Sequence, residues 1–600
     1  MEKAMIGIDG ITKVSVPFSF GELALQCDEP GAWRIGIERR VAPDGAEIAE
    51  IVAEAPAPAA PPRFKASLVI PQAGMHYMWQ PYAQDFSLQP NWASWAMTWT
   101  TDVAHGIPLY ALFDGSDMCH FSAALGESLR PVVASGGIHE EESLVDLAFE
   151  FFTIPEAPLD RYSTSIRFDT RPTALADAVR IAAAWVAEAG GHVPCKVPDD
   201  AFEPLYSTWY CFHKDVFGKD VEEELALAAR LGMKTAILDD GWHTDEIVWD
   251  YSRCGDWEVA PRRFPDMAAH VRKVHELGIK YMMWYSVPFV GLDSAAAERF
   301  KGKTLYVRNG SHVLDPRFPE VRRYLIDTYV TAMRDYGLDG LKLDFIDSFR
   351  INGEDPAVAD DYAGRDEKSV PVAVDMLMKE VHAKLAEINP DVLVEFRQQY
   401  VGAAIRQYGN MLRVGDCPGD MRRNRVAIAI MRLTSGETAV HSDMLEWNLS
   451  IPAEEAALHV LNSIFGVVQY SVMLRKAPES HLRMIKHWIE FSRRHCNALL
   501  KGRFTPRHAE LMFPEIEAED DAERIIGIYD DGRVADCGDL AKPTLVLNAT
   551  ASGRLTLRLA GPAKVEAFDT FGDAAGVFTP EAGLAEVACP PGGYLSVIRN

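Results

Sequence analysis

A regular alternation of short apolar runs and longer helical stretches between residues 203 and 502 constrains the fold most. Eight such runs occur, each with a helical stretch after it: LYSTWYCF, TAILDD, YMMWYSV, GLKLDFI, VLVEFR, MLRVG, ETAVHSD and VVQYSVML. Eight strand–helix units are what a (β/α)8 barrel needs, and a barrel typically takes roughly 250 residues. An open doubly wound sheet is the alternative. Because no glycine-rich phosphate loop follows the first run, the sequence favours the barrel.

The segments on either side of this alternation have a different sequence pattern. Before residue 172, short apolar runs such as KVSVPFSF and FKASLVI are broken by Gly, Pro and Asp, and similar runs return after 503. Short strands with frequent turns predict β-sandwiches, whereas the alanine-rich stretch 173–189 predicts a helix. We therefore predict an N-terminal β-sandwich at 1–172, a helical linker at 173–202, a TIM barrel at 203–502 and a smaller, antiparallel C-terminal β-sandwich at 503–600.

The charge of the chain limits its partners. The 87 acidic and 60 basic residues give a formal net charge of -27, which would repel nucleic acid and anionic membranes. A neutral small ligand such as a sugar fits this charge, although acidity also serves solubility alone. No stretch approaches the ~20 apolar residues of a membrane span. The sequence therefore predicts a small-molecule partner, with no nucleic acid and no membrane, and leaves a homo-oligomer open.

The cysteines indicate the compartment. All nine are scattered singly, without a Cys-x-x-Cys pair or a cysteine–histidine cluster, so neither a disulfide framework nor a structural zinc site is indicated. The first residues, MEKAMIGIDG, show no basic segment leading into an apolar run. A cytoplasmic location with reduced thiols is expected.

Polar side chains collect where the predicted barrel strands end. In (β/α)8 barrels the catalytic groups lie at the C-terminal ends of strands. A single aspartate there could simply cap the next helix, and for Asp443 this is the favoured interpretation. The residues at the strand ends are Asp239, Asp240, Trp284, Tyr285, Lys342, Asp344, Glu395, Arg397, Arg413, Asp416, His441 and Asp443.

Several carboxylates at one barrel mouth suggest catalysis, because like charges repel unless a function or a cation holds them together. A pair of carboxylates is the working unit of glycoside hydrolysis. Metal binding is the competing interpretation. It ranks lower because the interleaved Lys342, Arg397 and Arg413 would oppose a dication, and no histidine-rich grouping is present. We expect no metal and no organic cofactor.

Aromatic residues support a carbohydrate ligand. A sugar presents an apolar C–H face that stacks on an aromatic ring. Each ring alone is more simply explained as barrel core or lid, but five near one mouth favour carbohydrate. These five, at or just after the strand ends, are Trp209, Trp242, Trp257, Trp284 and Tyr285.

Four segments together resemble a known family. They are ILDDGWH at 237–243, GDWEVAPRRFPD at 255–266 with HELGIKYMMW at 275–284, VLDPRFPEVRRYL at 313–325, and YGLDGLKLDF at 336–345. In order and spacing they are similar to segments of the retaining α-galactosidases of glycoside hydrolase clan D, in particular family 36. The resemblance implies an N-terminal β-sandwich, a barrel and a C-terminal β-sandwich, and hydrolysis of terminal α-galactosides.

The resemblance also implies residue roles. Asp344 matches the nucleophile of the Lys-x-Asp motif, Lys342 matches the lysine that contacts the bound sugar, and Asp239 and Asp240 match the pair that hydrogen-bonds its 4- and 6-hydroxyls. Asp416 resembles the acid/base. The other expected substrate-binding residues are Trp209, Trp242, Trp284, Glu395, Arg397 and Arg413.

Three segments depart from the family pattern. YSVPF stands where a Glu-Pro-Glu segment is usual, EFRQQYVG replaces a Cys- and Gly-rich loop, and GDCPGD replaces Ser-Asp-x-x-Asp. These segments line the implied pocket, so the sugar could instead be an α-N-acetylgalactosaminide, an α-glucoside or a β-L-arabinopyranoside. A non-catalytic carbohydrate-binding relative and a metal-dependent lyase or isomerase are the alternatives from other classes.

Overall fold

The computed structural model of the chain describes residues 3–7, 10–82, 85–88, 97–139, 141–397 and 402–600. It contains a parallel barrel with antiparallel sheets before it in the chain and mixed sheets after it. The TIM-barrel fold class with flanking β-structure is confirmed.

The N-terminal part is a pair of packed sheets. The first sheet has the order β1-β4-β5-β13-β10-β9-β7, with β14 added on β10, and the second has the order β2-β3-β6-β12-β11-β8. Strand β5 shows why they pack, because buried and more exposed side chains alternate along much of it, as expected for a strand with one face in a core. The strands are β1 (Lys3–Ile6), β2 (Lys13–Phe18), β3 (Gly21–Gln26), β4 (Arg34–Val41), β5 (Glu47–Ala59), β6 (Phe64–Pro71), β7 (Tyr77–Trp79), β8 (Met97–Thr101), β9 (Leu109–Phe113), β10 (Met118–Leu125), β11 (Val132–His139), β12 (Leu144–Phe151), β13 (Leu159–Asp169) and β14 (Thr173–Ala174).

Helix α1 (Leu175–Ala189) joins the sandwich to the barrel. The alanine-rich segment forms this helix because alanine is the best helix former, and its small side chains allow close packing. The helix contacts β9 and β10 of the sandwich on one side and a barrel helix on the other.

The barrel consists of eight parallel strands, arranged in the order in which they occur in the chain. Their predicted positions are confirmed, although the first strand is shorter than its apolar run. Parallel bridges from His441 to Val467 and from Leu445 to Tyr470 close the barrel between the seventh and eighth strands. The eight are β15 (Leu205–Ser207), β16 (Thr235–Leu238), β17 (Lys280–Ser286), β21 (Gly340–Asp344), β22 (Leu393–Phe396), β23 (Met411–Arg413), β24 (Ala439–His441) and β25 (Gln469–Tyr470); a small sheet of β18 (Phe289–Gly291), β19 (Thr304–Arg308) and β20 (Ser311–Leu314) is inserted after β17.

Helices cover the outside of the barrel. The prediction that each strand precedes a helix is wrong for the fifth unit: in the described part of the connection from β22 to β23 there is only a 3-10 turn, Ala404–Gln407. The helices are α2 (Trp209–Phe212), α3 (Gly218–Leu231), α4 (Met267–Glu276), α5 (Ala295–Arg299), α6 (Pro319–Tyr336), α7 (Val370–Ile388), α8 (Met421–Thr434), α9 (Ala453–Leu461) and α10 (Glu479–Arg494).

The C-terminal part has two sheets, with orders β26-β27-β28-β30-β35-β32-β33 and β29-β31-β34. The antiparallel prediction for this part needs correction, because β28 pairs with β30, and β29 with β31, in parallel. The strands are β26 (Arg503–Arg507), β27 (Glu515–Glu519), β28 (Arg524–Ile528), β29 (Val534–Gly538), β30 (Thr544–Asn548), β31 (Arg554–Leu559), β32 (Ala563–Phe568), β33 (Ala574–Phe578), β34 (Gly583–Ala588) and β35 (Tyr594–Arg599).

The largest apolar core is not confined to the barrel. It runs without a break from Trp79 of the N-terminal sandwich through α1 and the barrel to Phe513 in the C-terminal part. A second core lies between the two N-terminal sheets. The domain boundaries at 172, 202 and 502 are therefore our proposal. No helix in the described ranges combines the length and apolarity needed to cross a membrane.

Candidate active site

The strand ends bring the predicted carboxylates to one mouth of the barrel. Lys342 and Asp344 lie on β21, and a single guanidinium, that of Arg397 after β22, contacts both Asp344 and Asp416. Lys342 Nζ in turn donates to Asp239 Oδ2 over 2.5 Å. These five residues thus come from the ends of four different strands, as expected for the C-terminal face of a barrel.

Asp344 is held in one orientation by three donors. Trp284 Nε1 donates to its Oδ2 over 2.9 Å, and the Phe345 backbone N–H donates to its Oδ1 over 2.7 Å. The third donor is Nε of Arg397, again to Oδ1. Phe345 has a φ of 64°, so the strand ends abruptly at this carboxylate. A carboxylate fixed in this way can act as a nucleophile without reorganising.

Asp416 is the most exposed carboxylate of the group, with 47% of its side chain accessible. Arg413 Nη2 donates to Oδ1 over 2.8 Å, and Arg397 Nη1 donates to Oδ2 over 3.4 Å. Burial alone would raise the pKa of Asp416, but the charges of Arg413 and Arg397 outweigh it and hold the pKa well below its usual value. In the free protein this carboxyl group is therefore ionised.

Arg413 is a positioning residue in this structure. Its side chain is only 1% exposed, and besides Asp416 it contacts Asp443 through Nη1. Asp443 also accepts from Tyr210 Oη over 3.0 Å and from the Cys417 N–H over 2.7 Å. Burial raises the pKa of Asp443, and its three donors hold it in this network. The predicted role of Asp443 as a helix cap is wrong, because the next helix, α9, begins after Pro452. The expected contact of Arg413 with substrate stays a prediction.

The adjacent carboxylates Asp239 and Asp240 have separate partners. Asp240 accepts from His243 Nε2 over 3.1 Å, and Lys214 Nζ lies 3.0 Å from its Oδ2. The ammonium has three N–H donors, and it also donates to Asp250 O over 2.9 Å. Asp240 Oδ2 is thus paired with the Lys214 ammonium, and a carboxylate oxygen has a second lone pair that can accept from a further donor.

Gly241 explains why the segment Asp-Asp-Gly-Trp carries a glycine. Its φ is +116°, and a Cβ there would lie 2.8 Å from the backbone of Lys214. Only glycine tolerates both the left-handed conformation and this approach. The glycine thus lets the Lys214 segment approach Asp240 closely.

Three functional candidates escaped the sequence prediction: Lys214, Tyr210 and Tyr251. Burial raises the pKa of Tyr251, and the charges of Asp344 and Asp240 raise it further, which places the phenol near both carboxylates. Its ring also lies 6.3 Å from that of Trp284. Tyr210 lies in the short helix α2, Lys214 just after it, and Tyr251 in the connection that follows β16. A strand-end pattern gives no signal for them, although Tyr210 lies within the first apolar run and Lys214 two residues after it.

The predicted aromatic wall is largely core. Trp242 is completely enclosed and its Nε1 donates to Trp284 O over 3.0 Å, so the expectation that a sugar stacks on Trp242 is wrong for this conformation. Trp257, Trp284 and Tyr285 are buried as well, at 8%, 2% and 1% exposure. Trp284 acts through its hydrogen bond to Asp344. Of the five rings, that of Trp209 is the one that remains half-buried.

Glu395 also lies inside the barrel rather than at its surface. It is 0% exposed, accepts from Gln469 Nε2, and burial raises its pKa, so burial argues against its predicted contact with substrate. Of the segment EFRQQYVG, residues 398–401 lie outside the described residues. Asp420 caps α8 by accepting from the Arg423 N–H over 2.9 Å.

Within the described ranges, one group could hold a metal ion: Asp117, His508 and Glu510. It joins a turn of the N-terminal sandwich to the C-terminal part and lies away from the barrel strand ends. The described residues at the barrel mouth therefore do not include such a group of metal ligands.

Comparison with known proteins finds similarity concentrated in the barrel. Residues 199–395 match the melibiase family model. The α-galactosidase Mel36A of Lactobacillus acidophilus is 27% identical over 199 residues, 32% of this chain and 26% of that protein. α-Galactosidase 1 of Pediococcus pentosaceus is 29% identical over 148 residues, 23% of this chain and 19% of that protein. The matched segments thus span about a quarter or less of these relatives.

Solved structures extend the similarity of fold to the whole chain. The galactosidase domain of the α-galactosidase–sucrose kinase AgaSK has a TM-score of 0.65 at 12% identity, covering 100% of this chain and 86% of that one. A variant of the α-galactosidase AgaA from Geobacillus stearothermophilus, in complex with raffinose, has a TM-score of 0.64 at 13% identity, covering 100% and 87%. The barrel segment 199–395 is thus similar to the melibiase family, and the fold of the whole chain is similar to that of α-galactosidases of glycoside hydrolase family 36.

Proposed function

We propose that this protein is a retaining α-glycosidase, specifically an α-galactosidase that removes terminal α-galactosyl residues from oligosaccharides. The observation that carries the proposal is the guanidinium of Arg397, which contacts Asp344 and Asp416 at the same time. A retaining glycosidase requires two carboxyl groups close together on either side of the bond to be broken. The two relatives described above are both named α-galactosidases, and this supports galactose as the sugar.

In the first half-reaction Asp344 is the nucleophile. A carboxylate oxygen of Asp344 forms a bond to C1 of the sugar while the bond from C1 to the glycosidic oxygen breaks. Asp416, in its protonated form, gives its proton to the departing oxygen, which leaves as an alcohol. The product is a glycosyl ester on Asp344 with inverted configuration.

In the second half-reaction Asp416 acts as a base. It takes a proton from water as the water oxygen bonds to C1, and the bond from C1 to Asp344 breaks. The ionised state that Arg413 and Arg397 impose on Asp416 suits this step. It does not suit the first step, which needs the proton, so glycosides with poor leaving groups should be limited by formation of the glycosyl ester.

The sugar is read by the carboxylates of the second strand. Asp240 Oδ2 is buried and paired with the Lys214 ammonium at 3.0 Å, and a carboxylate oxygen can accept from a second donor as well. A sugar hydroxyl would supply that donor. Lys342 keeps Asp239 in place beside it through the 2.5 Å hydrogen bond.

A second sugar has specific support. A relative from Flavonifractor plautii, 24% identical over 177 residues, is an A type blood α-D-galactosamine galactosaminidase. Together with the departures YSVPF and EFRQQYVG, this makes an α-galactosaminide the alternative substrate, and activity on simple aryl α-galactosides is expected to be modest.

Two alanine variants test the proposed roles. Asp344→Ala should be inactive on every substrate, and azide should restore turnover by attacking C1 directly, giving a glycosyl azide of inverted configuration. Asp416→Ala should form the glycosyl ester from a dinitrophenyl glycoside and hydrolyse it slowly, so a burst precedes a slow steady state. Azide then attacks the ester, and the product keeps the α configuration. An Asp416→Ala variant as inert as Asp344→Ala, or one that gives the inverted azide, would contradict the assignment.

The substrate and the location follow from the same chemistry. We propose a small neutral carbohydrate as the partner and no nucleic acid, because the net charge is -27. We also propose a cytoplasmic location. All nine cysteines fall in the described residues, and each is a free thiol, which suits a reducing compartment.

A further inference from the structure

A cavity lies at the end of the barrel opposite the candidate active site. Its volume is about 960 Å³, within the roughly 300–1,000 Å³ of small-molecule sites. Its wall contains Thr438, directly before β24, and Phe202, just before β15, so it adjoins the N-terminal ends of barrel strands. Helix α1, the end of α8 and the segment that leads into β26 complete the wall. We call this space the basal cavity.

The wall of the basal cavity is rich in positive charge, although the chain carries a net charge of -27. Among the described residues of the wall, two are acidic, Asp199 and Glu437, and six are basic. These six are Arg180, Lys196, Arg406, Arg432, Lys501 and Arg503. Four of them have carboxylate partners: Arg180 and Arg503 contact Asp177, Lys196 contacts Asp391, and Lys501 contacts Asp199. Arg406 and Arg432 form no ion pair within the described ranges.

Arg406 has donors that the protein does not use. It lies in the 3-10 turn of the fifth unit and is only 9% exposed. Its Nε donates to Thr438 Oγ1 over 3.1 Å, but its Nη1 and Nη2 have no acceptor among the described residues. A Cβ at Gly436 would collide with Nη2, so the glycine makes room for the guanidinium. Burial lowers the pKa of Arg406, and the charge of Glu437 offsets this only in part. Unpaired donors on a buried cation are costly.

Arg432 adds a second charge that has no carboxylate partner. Its guanidinium donates to the carbonyl oxygens of Phe465, Leu499 and Leu500. These carbonyls satisfy hydrogen bonds but carry no full charge. Burial and the charge of Arg180 lower the pKa of Arg432, because a second cation is close. The C-terminal end of α8 supplies only about half a negative charge, which does not balance two guanidiniums.

We propose that the basal cavity binds a phosphorylated small molecule, and that Nη1 and Nη2 of Arg406 hold its phosphate group. The planar guanidinium fork matches two phosphate oxygens at once. A phosphate monoester carries about 1.5 to 2 negative charges at pH 7, which suits two uncompensated guanidiniums better than a single carboxylate does. The cavity is larger than a phosphate group requires, so it also has room for an organic part. This site does not depend on the proposed function.

Titration calorimetry at constant ionic strength tests the site. The probes are glucose 6-phosphate and inorganic phosphate, and the controls are glucose and citrate. Both phosphate probes should bind the wild type. Arg406→Met should weaken their binding about 10- to 100-fold, the worth of a charge-assisted hydrogen bond. Arg161→Met, which removes one positive charge at an exposed pair with Glu54 outside the cavity, should leave both affinities unchanged.

The two phosphate probes distinguish the sources of the phosphate group. Tighter binding of glucose 6-phosphate identifies an organic phosphate as the ligand, and equal affinities identify free phosphate. The inference is overturned if neither probe binds, or if Arg406→Met binds them as tightly as the wild type. Binding of citrate without binding of either phosphate probe would also overturn it, and so would equal binding of glucose and glucose 6-phosphate.

A second measurement locates the ligand without any variant. Cys195 lines the basal cavity, and its N–H donates to Arg406 O over 2.9 Å. Burial raises the pKa of Cys195 to about 11, so alkylation by iodoacetamide is slow enough to follow by mass spectrometry. Phosphate should slow the alkylation of Cys195 but not that of Cys211, which is also partly exposed and lies in α2, after the first barrel strand. Unchanged alkylation of Cys195 in phosphate that saturates the calorimetric signal would refute the site.

Discussion

Replacing Arg397 by glutamine should move the alkaline limb of the pH–rate profile to higher pH. The substitution removes one of the three cations that lower the pKa of Asp416, the one at 3.4 Å from its Oδ2. At this distance a unit charge is worth about 1 kcal/mol in water and about 5 kcal/mol at an effective dielectric constant of 20. Because 47% of the Asp416 side chain is exposed, the lower end applies, and the pKa should rise by about one unit.

The direction of the expected shift follows from the role of Asp416. The first half-reaction needs Asp416 protonated, so the alkaline limb of kcat/KM reports its pKa in the free enzyme. A higher pKa keeps the proton to higher pH, and the limb should move up by about one pH unit. The maximal kcat/KM should fall roughly 10- to 100-fold, since Asp344 loses a charge-assisted hydrogen bond.

The assay is kcat/KM on an aryl α-galactoside between pH 2 and 7, with each profile scaled to its own maximum, because a limb set by an Asp416 pKa well below its usual value falls at the acid end of this range. Lys273→Gln is the matched control, because it also removes one positive charge, on the outer helix α4, where Lys273 is 60% exposed and pairs with Glu222. Its limb should coincide with that of the wild type. An alkaline limb that stays in place or moves to lower pH in Arg397→Gln would refute the reasoning that Arg397 holds Asp416 ionised.

Three further outcomes are expected. Asp240→Asn should lower kcat/KM for glycosides with an axial 4-hydroxyl by about 10- to 100-fold more than for those with an equatorial one; an equal loss across a panel of aryl α-glycosides would contradict a hydroxyl-reading role. Arg317→Met leaves the buried Asp315 and Asp355 without their main partner, so urea unfolding should show a loss of about 3–5 kcal/mol, whereas Arg161→Met, at an exposed pair, should cost under about 1 kcal/mol. Burial would lower the pKa of His243, but Cys254 and Asp240 raise it from 6.5 to about 10. The contribution of His243 to the free energy of unfolding should therefore be complete below pH 6.5 and lost as pH rises through 10. The variant His243→Gln should flatten that decline.

The barrel could be predicted from the sequence because each strand is a short apolar run bounded by turn residues, a signal that is local. The fifth unit could not be predicted, since the spacing from VLVEFR to MLRVG leaves room for a helix. The parallel pairs β28–β30 and β29–β31 could not be predicted either. Strand partners depend on the path of the chain in space, which an alternating pattern does not contain.

The candidate site could likewise be predicted only in part. Lys342 and Asp344 lie on β21 and Asp239 directly follows β16, so the strand ends place them. Lys214 and Tyr251 come from loops whose conformation depends on contacts such as the approach of Gly241 to Lys214. The burial of Trp242 could not be foreseen either, because an apolar ring after a strand can face the mouth or the barrel wall.

The short fifth unit makes the barrel depend on its neighbours. α1 packs against α8, and His192, just after α1, accepts at Nδ1 from Gln407 Nε2 over 2.8 Å in the 3-10 turn. α1 thus fills the outer ring beside the unit whose described residues include no α-helix, and the apolar core continues through α1 into the sandwich. Cutting the chain before the barrel would expose that flank to water. The sandwich, α1 and the barrel should consequently melt in one cooperative calorimetric transition, and the isolated barrel should be unable to fold.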